Sequence, residues 1–172
     1  MTITRLQELL QQGEGTQVEF KAASIGLNRD AFDSICGFLN RSGGYLILGI
    51  NDADKSITGV QGNQVQNIVD NIITGANNPE RLNPPYYLSP EVITVDDKQV
   101  ITLYVPESSQ VHATRGKIFD RNQDGDFNIT KNGALVAQLY LRKQNSYTEN
   151  QVFPFLSITD FKPSLFQKIR KI

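Results

Sequence analysis

The chain has 172 residues, 39% of them hydrophobic and 20% charged, which fits one globular domain with a single core. A formal net charge of −1 excludes a uniformly basic nucleic-acid binder, so any contact with a polyanion would need a local positive patch. No apolar run reaches the roughly 18 residues of a membrane span and the N-terminus has no signal-peptide core, so we expect a cytoplasmic protein without membrane contact.

The first two predicted elements are a short helix and a half-buried strand. Thr4-Arg5-Leu6-Gln7 has the pattern of a capping box, and Gly13 marks the end of the helix that it begins. Residues 18–21 then alternate between apolar and charged side chains. This alternation predicts a strand with Glu19 and Lys21 on the same face.

A second helix and a buried strand follow. Capping residues at both ends predict a helix from about Arg29 to about Arg41. The apolar run 45–50 predicts a central strand that is buried on both faces. Residues 51–60 predict a turn and a short returning strand, a hairpin with Asp52 at its mouth.

The second half of the chain is predicted to add a helix, a hairpin, a late strand and a last helix. Apolar residues recur at helical spacing over 65–73, and the alternating segments 91–95 and 99–105 form the second hairpin. Apolar residues alternate over 135–141 as in a strand, and Pro163 suits the first turn of the last helix. The predicted fold class is α+β, a mixed and largely antiparallel sheet with helices packed on it.

The central motif resembles that of a known family. Its parts are Val18-Glu19-Phe20-Lys21, an amphipathic helix ending in Asn40, the Gly43-Gly44 pair, an apolar strand and Gly49-Ile50-Asn51-Asp52. In this order they resemble the Schlafen AlbA_2 domain, a bacterial DNA-binding relative of the Schlafen core. The resemblance is densest from residue 14 to residue 60.

The resemblance implies an AlbA_2-like domain over residues 1–160, with 161–172 a C-terminal helix that leads to a missing downstream region. It implies a nucleic-acid-binding module, the N-terminal domain of a transcriptional regulator, which needs no cofactor to bind DNA or RNA. Schlafen cores are similar to two copies of this domain, so we expect the single copy here to form a two-fold homodimer. A module for dimerisation or protein interaction, without nucleic acid, is a further alternative.

Three carboxylates form the main catalytic hypothesis. The hairpin geometry brings Glu14, Glu19 and Asp52 to one end of the sheet, where oxygen ligands could hold Mg²⁺ or Mn²⁺. Schlafen nucleases carry two glutamates and an aspartate at this spacing, so the resemblance offers a metal-dependent endoribonuclease as the alternative to binding. The same residues also fit structural roles: Glu14 as a solvated loop carboxylate, Glu19 as an ion-pair partner of Lys21, and Asp52 as a turn former.

Phosphate contacts are predicted for a small set of cations. The positive charges of Lys21, Arg41, Arg142 and Lys143 would attract a nucleic-acid backbone whatever its sequence. Tyr147, in the polar segment that follows, could stack on a base. The pattern contains no recognition helix with base-reading side chains, so it does not distinguish DNA from RNA.

Two further features are interpreted without a function. Segment 120–128 has oxygen-bearing side chains and a glycine spaced as in a calcium loop, but Lys131 stands where an EF-hand has its glutamate. We interpret this segment as a turn between strands. His112 is the only histidine and Cys36 the only cysteine, which excludes a two-histidine metal site and an internal disulfide.

Overall fold

A computed structural model describes residues 1–145 of the chain. Its helices are α1 (Ile3–Gln12), α2 (Ala31–Asn40), α3 (Gly62–Asn77) and α4 (Gly133–Asn145). Its strands are β1 (Val18–Lys21), β2 (Gly44–Leu48), β3 (Leu82–Asn83), β4 (Glu91–Val95), β5 (Lys98–Val105), β6 (Ala113–Thr114), β7 (Phe119–Asn122) and β8 (Gly125–Asn128). The predicted helix over 161–172 and Tyr147 lie outside the described residues.

A four-stranded sheet in the order β1-β2-β5-β4 forms the centre of the fold. Strand β1 pairs with β2 in parallel, whereas β2 with β5 and β5 with β4 are antiparallel. Two short antiparallel pairs, β3 with β6 and β7 with β8, lie outside this sheet. The structure therefore confirms the predicted α+β class with a mixed, largely antiparallel sheet and helices packed on it.

Helices cover both faces of the sheet because its strands alternate apolar side chains to both sides. On one face, α2 and α3 pack against alternate residues of β2 and β5, Leu46 and Leu103 among them. On the other face, α1 packs Leu6 and Leu9 against Phe20 of β1 and neighbouring strands. Glu19 and Lys21 consequently point away from α1, as the alternation predicts. None of the helices in residues 1–145 is both long and apolar enough to cross a membrane.

Three local predictions are displaced by a few residues. The N-cap of α1 is Thr2, whose Oγ1 accepts a hydrogen bond from the Arg5 amide at 3.1 Å, because the helix begins two residues before the predicted capping box. Helix α2 begins at Ala31 rather than Arg29. The returning segment 57–60 makes isolated bridges at Ile57 and Val60 instead of a regular strand.

The predicted late strand over 135–141 is wrong, since these residues belong to helix α4. Leu139 is fully buried, whereas Leu135 and Leu141 are about half exposed, so only one face of the segment packs against the protein. Asn132 Oδ1 accepts a hydrogen bond from the Leu135 amide at 3.2 Å, which is the geometry of an N-cap. Most residues of this segment favour helix, among them leucine, alanine, glutamine, arginine and lysine. An alternation of only four apolar residues was too short to outweigh that preference.

Candidate functional site

Two clefts of opposite charge meet at the beginning of α2. The acidic cleft has a volume of about 340 Å³ and includes Asp30 and Asp33. The arginine cleft has a volume of about 330 Å³ and includes Arg29 and Phe32. Arg29 and Asp30 lie just before α2 and Phe32 and Asp33 in its first turn, so this short stretch supplies walls to both clefts.

Six carboxylates and one arginine line the acidic cleft. Strand β1 and the segment before it contribute Glu14 and Glu19, and the β7-β8 hairpin contributes the arginine and two aspartates. The lining residues are Glu14, Gly15, Glu19, Asp30, Asp33, Phe119, Arg121, Gln123, Asp124, Gly125 and Asp126. The hairpin reverses over Gln123 and Asp124, so the calcium-like segment is the turn between strands that the sequence indicates.

Arg121 is the structural centre of this cleft, and its side chain is fully buried. Its guanidinium donates to Asp126 Oδ1 at 2.6 Å and to Glu19 Oε2 at 2.7 Å, and it lies 4.3 Å from the centre of the Phe38 ring. Gly37 makes room for it, since a Cβ there would lie 2.9 Å from Arg121 Cγ. The arginine therefore neutralises two carboxylates of the cleft from within the protein.

The structure brings Glu14 and Glu19 to one cleft, whereas Asp52 is not part of its described lining. Glu14 Oε1 accepts a hydrogen bond from the Phe20 amide at 2.9 Å. Burial raises the pKa of Glu14, and the negative charges of Glu19 and Asp52 raise it further. Within residues 1–145, no group of three or more His, Cys, Asp or Glu side chains is arranged to hold a metal ion. Glu14 thus feels the charges of both Glu19 and Asp52, but the three predicted ligands do not form a preassembled metal centre among the described residues.

Lys21, predicted as a phosphate contact, is paired with two carboxylates that line the acidic cleft. It is 9% exposed, and its Nζ lies 3.0 Å from Glu19 Oε1 and 2.8 Å from Asp30 Oδ2. Burial by itself lowers the pKa of Lys21, but the hydrogen bonds and charges of Asp30 and Glu19 together outweigh it, so the pKa is raised. Its charge is already compensated within the chain.

The other three predicted phosphate contacts gather near the end of α2. Arg41 and Arg142 both bind Asp120, at 2.9 Å and 3.3 Å, and about a third of each side chain is exposed. Lys143 is 3% exposed and binds Glu107 at 2.8 Å. Burial lowers the pKa of Lys143, partly offset by Glu107. These cations therefore form ion pairs, and Lys143 is largely closed to a ligand.

The arginine cleft is the positive site that sequence reasoning missed. Arg29, Arg81 and Arg115 line it together with Phe32 and Glu80. The Arg81 guanidinium lies 4.1 Å from the centre of the Phe32 ring, and burial together with the charge of Arg115 lowers the pKa of Arg81. Among the described residues, no carboxylate forms an ion pair with Arg29 or Arg81. No motif could have revealed this cleft, because its arginines lie far apart in the chain and converge only in the fold.

Short strands hold the wall that carries Arg81. Leu82 pairs with Thr114, and Thr114 Oγ1 donates to the Arg81 carbonyl at 2.8 Å. Next to this pair, the buried His112 bonds through Nδ1 to the Pro84 carbonyl at 2.8 Å and through Nε2 to Ser108 Oγ at 2.7 Å. Burial lowers the pKa of His112 to about 4, so the imidazole is neutral at pH 7. A carbonyl can only accept, so Nδ1 carries the proton and Nε2 accepts from Ser108.

Comparison with known proteins agrees with this architecture. A family model described as Schlafen, AlbA_2 matches residues 14–130. An uncharacterized ATP-binding protein of Ureaplasma parvum, UU034, is 39% identical over 70 residues, which are 40% of this chain and 20% of that protein. The chain thus spans about a fifth of the length of this curated relative.

Two solved structures are similar in their backbone. The DIP2311 protein of Corynebacterium diphtheriae superposes with a TM-score of 0.59 at 16% identity, over 98% of this chain and 37% of that one, which shows the shared fold. The N-terminal domain of a RecG-related protein of Nitrosomonas europaea has a TM-score of 0.46 at 25% identity, over 59% of this chain and 70% of that one.

Proposed function

Because the chain belongs to the Schlafen AlbA_2 family, we propose that it is a nucleic-acid-binding module that contacts the phosphate backbone of DNA or RNA through the arginine cleft. One observation carries the proposal. Arg29 and Arg81 converge with Arg115 on one cleft and have no carboxylate partner among the described residues, whereas Lys21, Arg41, Arg142 and Lys143 all have one. As part of a longer protein, the module would be the N-terminal domain of a transcriptional regulator.

Arginines that have no ion pair with a described carboxylate are suited to bind a phosphate. A guanidinium can donate two parallel hydrogen bonds to phosphate oxygens, and bound counterions leave the nucleic acid when its phosphates are neutralised. Arg81 and Arg115 repel each other in the free protein, and an anion between them would relieve this repulsion. A local cleft of this kind lets a chain of net charge −1 bind a polyanion without a cofactor.

The test is a titration of labelled single-stranded and duplex DNA and RNA at two salt concentrations. We expect affinity to fall steeply with salt and Arg81→Ala to weaken binding about tenfold on every sequence. Arg5→Ala is the matched control, because Arg5 is exposed on α1, across the sheet from the cleft, and pairs with Glu8. Binding that is insensitive to salt, or equally weakened by both variants, would contradict the proposal.

A metal-dependent endoribonuclease is the second candidate. It is favoured by the position of the acidic cleft, where Glu14 and Glu19 lie beside the cleft proposed for phosphates. In this function Glu14, Glu19 and Asp52 would hold Mg²⁺ or Mn²⁺ against the backbone. Labelled RNA incubated with and without Mn²⁺ tests it, with Glu14→Gln as the inactive variant. RNA that stays intact in the presence of Mn²⁺ would contradict the nuclease function and leave nucleic-acid binding as the proposed function.

A homodimer is proposed as the assembled form. Strand β4 is an edge of the four-stranded sheet in the described part of the chain, and Val92 on it is 42% exposed. An edge strand can pair with its copy across a two-fold axis and extend the sheet. Light scattering at micromolar concentration should give twice the chain mass of 19.2 kDa, and the monomer mass would contradict the dimer.

A further inference from the structure

The two clefts share one ion pair. Arg115 lines the arginine cleft, Asp33 lines the acidic cleft, and Arg115 Nη2 donates to Asp33 Oδ1. The Asp33 side chain is 19% exposed and that of Arg115 is 42% exposed, so solvent and ligands reach the arginine more readily than the carboxylate. Of the three cleft arginines, Arg115 is the one whose charge is compensated by a described carboxylate.

We propose that Asp33 is an internal competitor of phosphate for Arg115, and that it sets the affinity of the arginine cleft for phosphate-bearing ligands. This inference rests on the proposed function and names a residue that regulates it. A bound phosphate forms an ion pair with the Arg115 guanidinium and replaces the ion pair between Arg115 and Asp33. The ligand therefore gains only the difference between two ion pairs at Arg115, but the whole interaction at Arg29 and Arg81.

The surroundings of Asp33 make this exchange unfavourable. Released from Arg115, the carboxylate stays in a cleft that holds five other carboxylates, and Arg121 and Lys21 are already bonded to Glu19, Asp30 and Asp126. Its charge is then repelled by these carboxylates, while the nearby cations are already held by other carboxylates. The acidic cleft thus lowers the affinity of the arginine cleft for phosphate. Without the Asp33 carboxylate, this lowering is lost.

A double-mutant cycle measures the competition directly. Asp33→Asn should tighten binding of a labelled oligonucleotide by about threefold to fivefold, the range of a partly exposed ion pair. The gain should disappear in the Arg115→Ala background, because no contested guanidinium remains. Asp124→Asn is the matched control: Asp124 lines the acidic cleft as Asp33 does, but no ion pair joins it to a described cation. Equal gains from Asp33→Asn and Asp124→Asn would reduce the effect to general electrostatics and overturn the inference.

A second measurement uses the wild-type protein and a probe other than nucleic acid. Inorganic pyrophosphate is titrated while NMR follows the Arg115 Nε resonance and the Asp33 carboxyl carbon. Competition predicts that both signals move together with one saturation curve. An Asp33 signal that stays constant while Arg115 responds would show that the ion pair survives binding, and would overturn the inference even if Asp33→Asn failed to fold.

The outcomes separate this inference from the function on which it rests. Oligonucleotide binding that is equal or weaker in Asp33→Asn overturns the competition and leaves the nucleic-acid function intact. Pyrophosphate binding that tightens in Asp33→Asn without any oligonucleotide binding supports the competition and removes the nucleic-acid function. If the wild-type protein and Asp33→Asn bind neither probe, both proposals fail.

Discussion

Arg121 and Arg81 both lie over a phenylalanine of α2, at 4.3 Å from Phe38 and 4.1 Å from Phe32, yet their guanidinium groups meet opposite surroundings. Arg121 is fully buried between Glu19 and Asp126. Arg81 is partly exposed beside a second arginine, and no described carboxylate pairs with it.

Under the proposed function, the same stacking contact serves stability in one cleft and binding in the other. In the acidic cleft, the desolvation cost of a guanidinium is offset by carboxylates of the same chain, so the arginine contributes to the stability of the fold. In the arginine cleft, no described carboxylate pairs with Arg29 or Arg81, and the proposed partner is a phosphate. Substitutions in the first cleft should therefore change mainly the free energy of unfolding, and those in the second should change mainly ligand affinity.

The largest effect is expected for Arg121→Met. Removing the guanidinium leaves Glu19 and Asp126 without their buried cation, and breaking a buried ion pair from one side costs about 3–5 kcal/mol. Urea unfolding followed by circular dichroism measures the change, with the exposed Arg5→Met as control. A loss below about 1 kcal/mol would mean that Arg121 is not the structural centre of the acidic cleft.

A comparable effect is expected from acid at the wall of the arginine cleft. The folded pKa of His112 is about 4 and the unfolded value is 6.5, so the unfolded chain binds more protons between these values. The stabilisation is complete above pH 6.5 and is lost as the pH falls towards 4, by about 3 kcal/mol in total. Thermal unfolding at a series of pH values measures this loss. His112→Gln should flatten the profile in that window, and an unchanged slope would exclude His112 as its source.

A smaller effect on affinity should distinguish the paired cations from the unpaired ones. Arg29→Ala should reduce the slope of log K against log salt by about 0.7–0.9, the contribution of one phosphate contact. Lys21→Ala should leave this slope unchanged, because Glu19 and Asp30 already compensate Lys21, and should instead destabilise the fold. A slope that drops for Lys21→Ala but not for Arg29→Ala would reverse the assignment of the two clefts.

The smallest effect is expected for Glu14→Gln. Its raised pKa means that ionised Glu14 is less favourable in the folded chain than in the unfolded one. The variant should therefore be more stable at pH 7, by no more than about 0.5 kcal/mol at such an exposed position. The gain should vanish as the pH falls through the raised pKa towards 4.5, where the wild-type carboxyl is protonated too. Differential scanning calorimetry at pH 7 and pH 4 tests both the sign and its disappearance.

Local pattern was a good guide where one interaction dominates. The alternation over residues 18–21 places Glu19 and Lys21 on one face, and the apolar run after Gly44 forms the central strand β2. The positions of Glu14 and Glu19 in one cleft follow from the same local order. The alternation over 135–141 misled because Leu139 alone is fully buried there, and burial depends on what packs against the segment.

The amino-acid sequence by itself determined the α+β class, the order of the central elements and the family, because side-chain periodicity and glycine positions act over a few residues. Only the tertiary structure decided which charges are compensated. Arg121 meets Glu19 across 102 positions of the chain and Arg115 meets Asp33 across 82, and no local rule relates such residues. Ion pairing depends on distances of a few ångströms, so the difference between a structural arginine and one open to a ligand exists only in the folded chain.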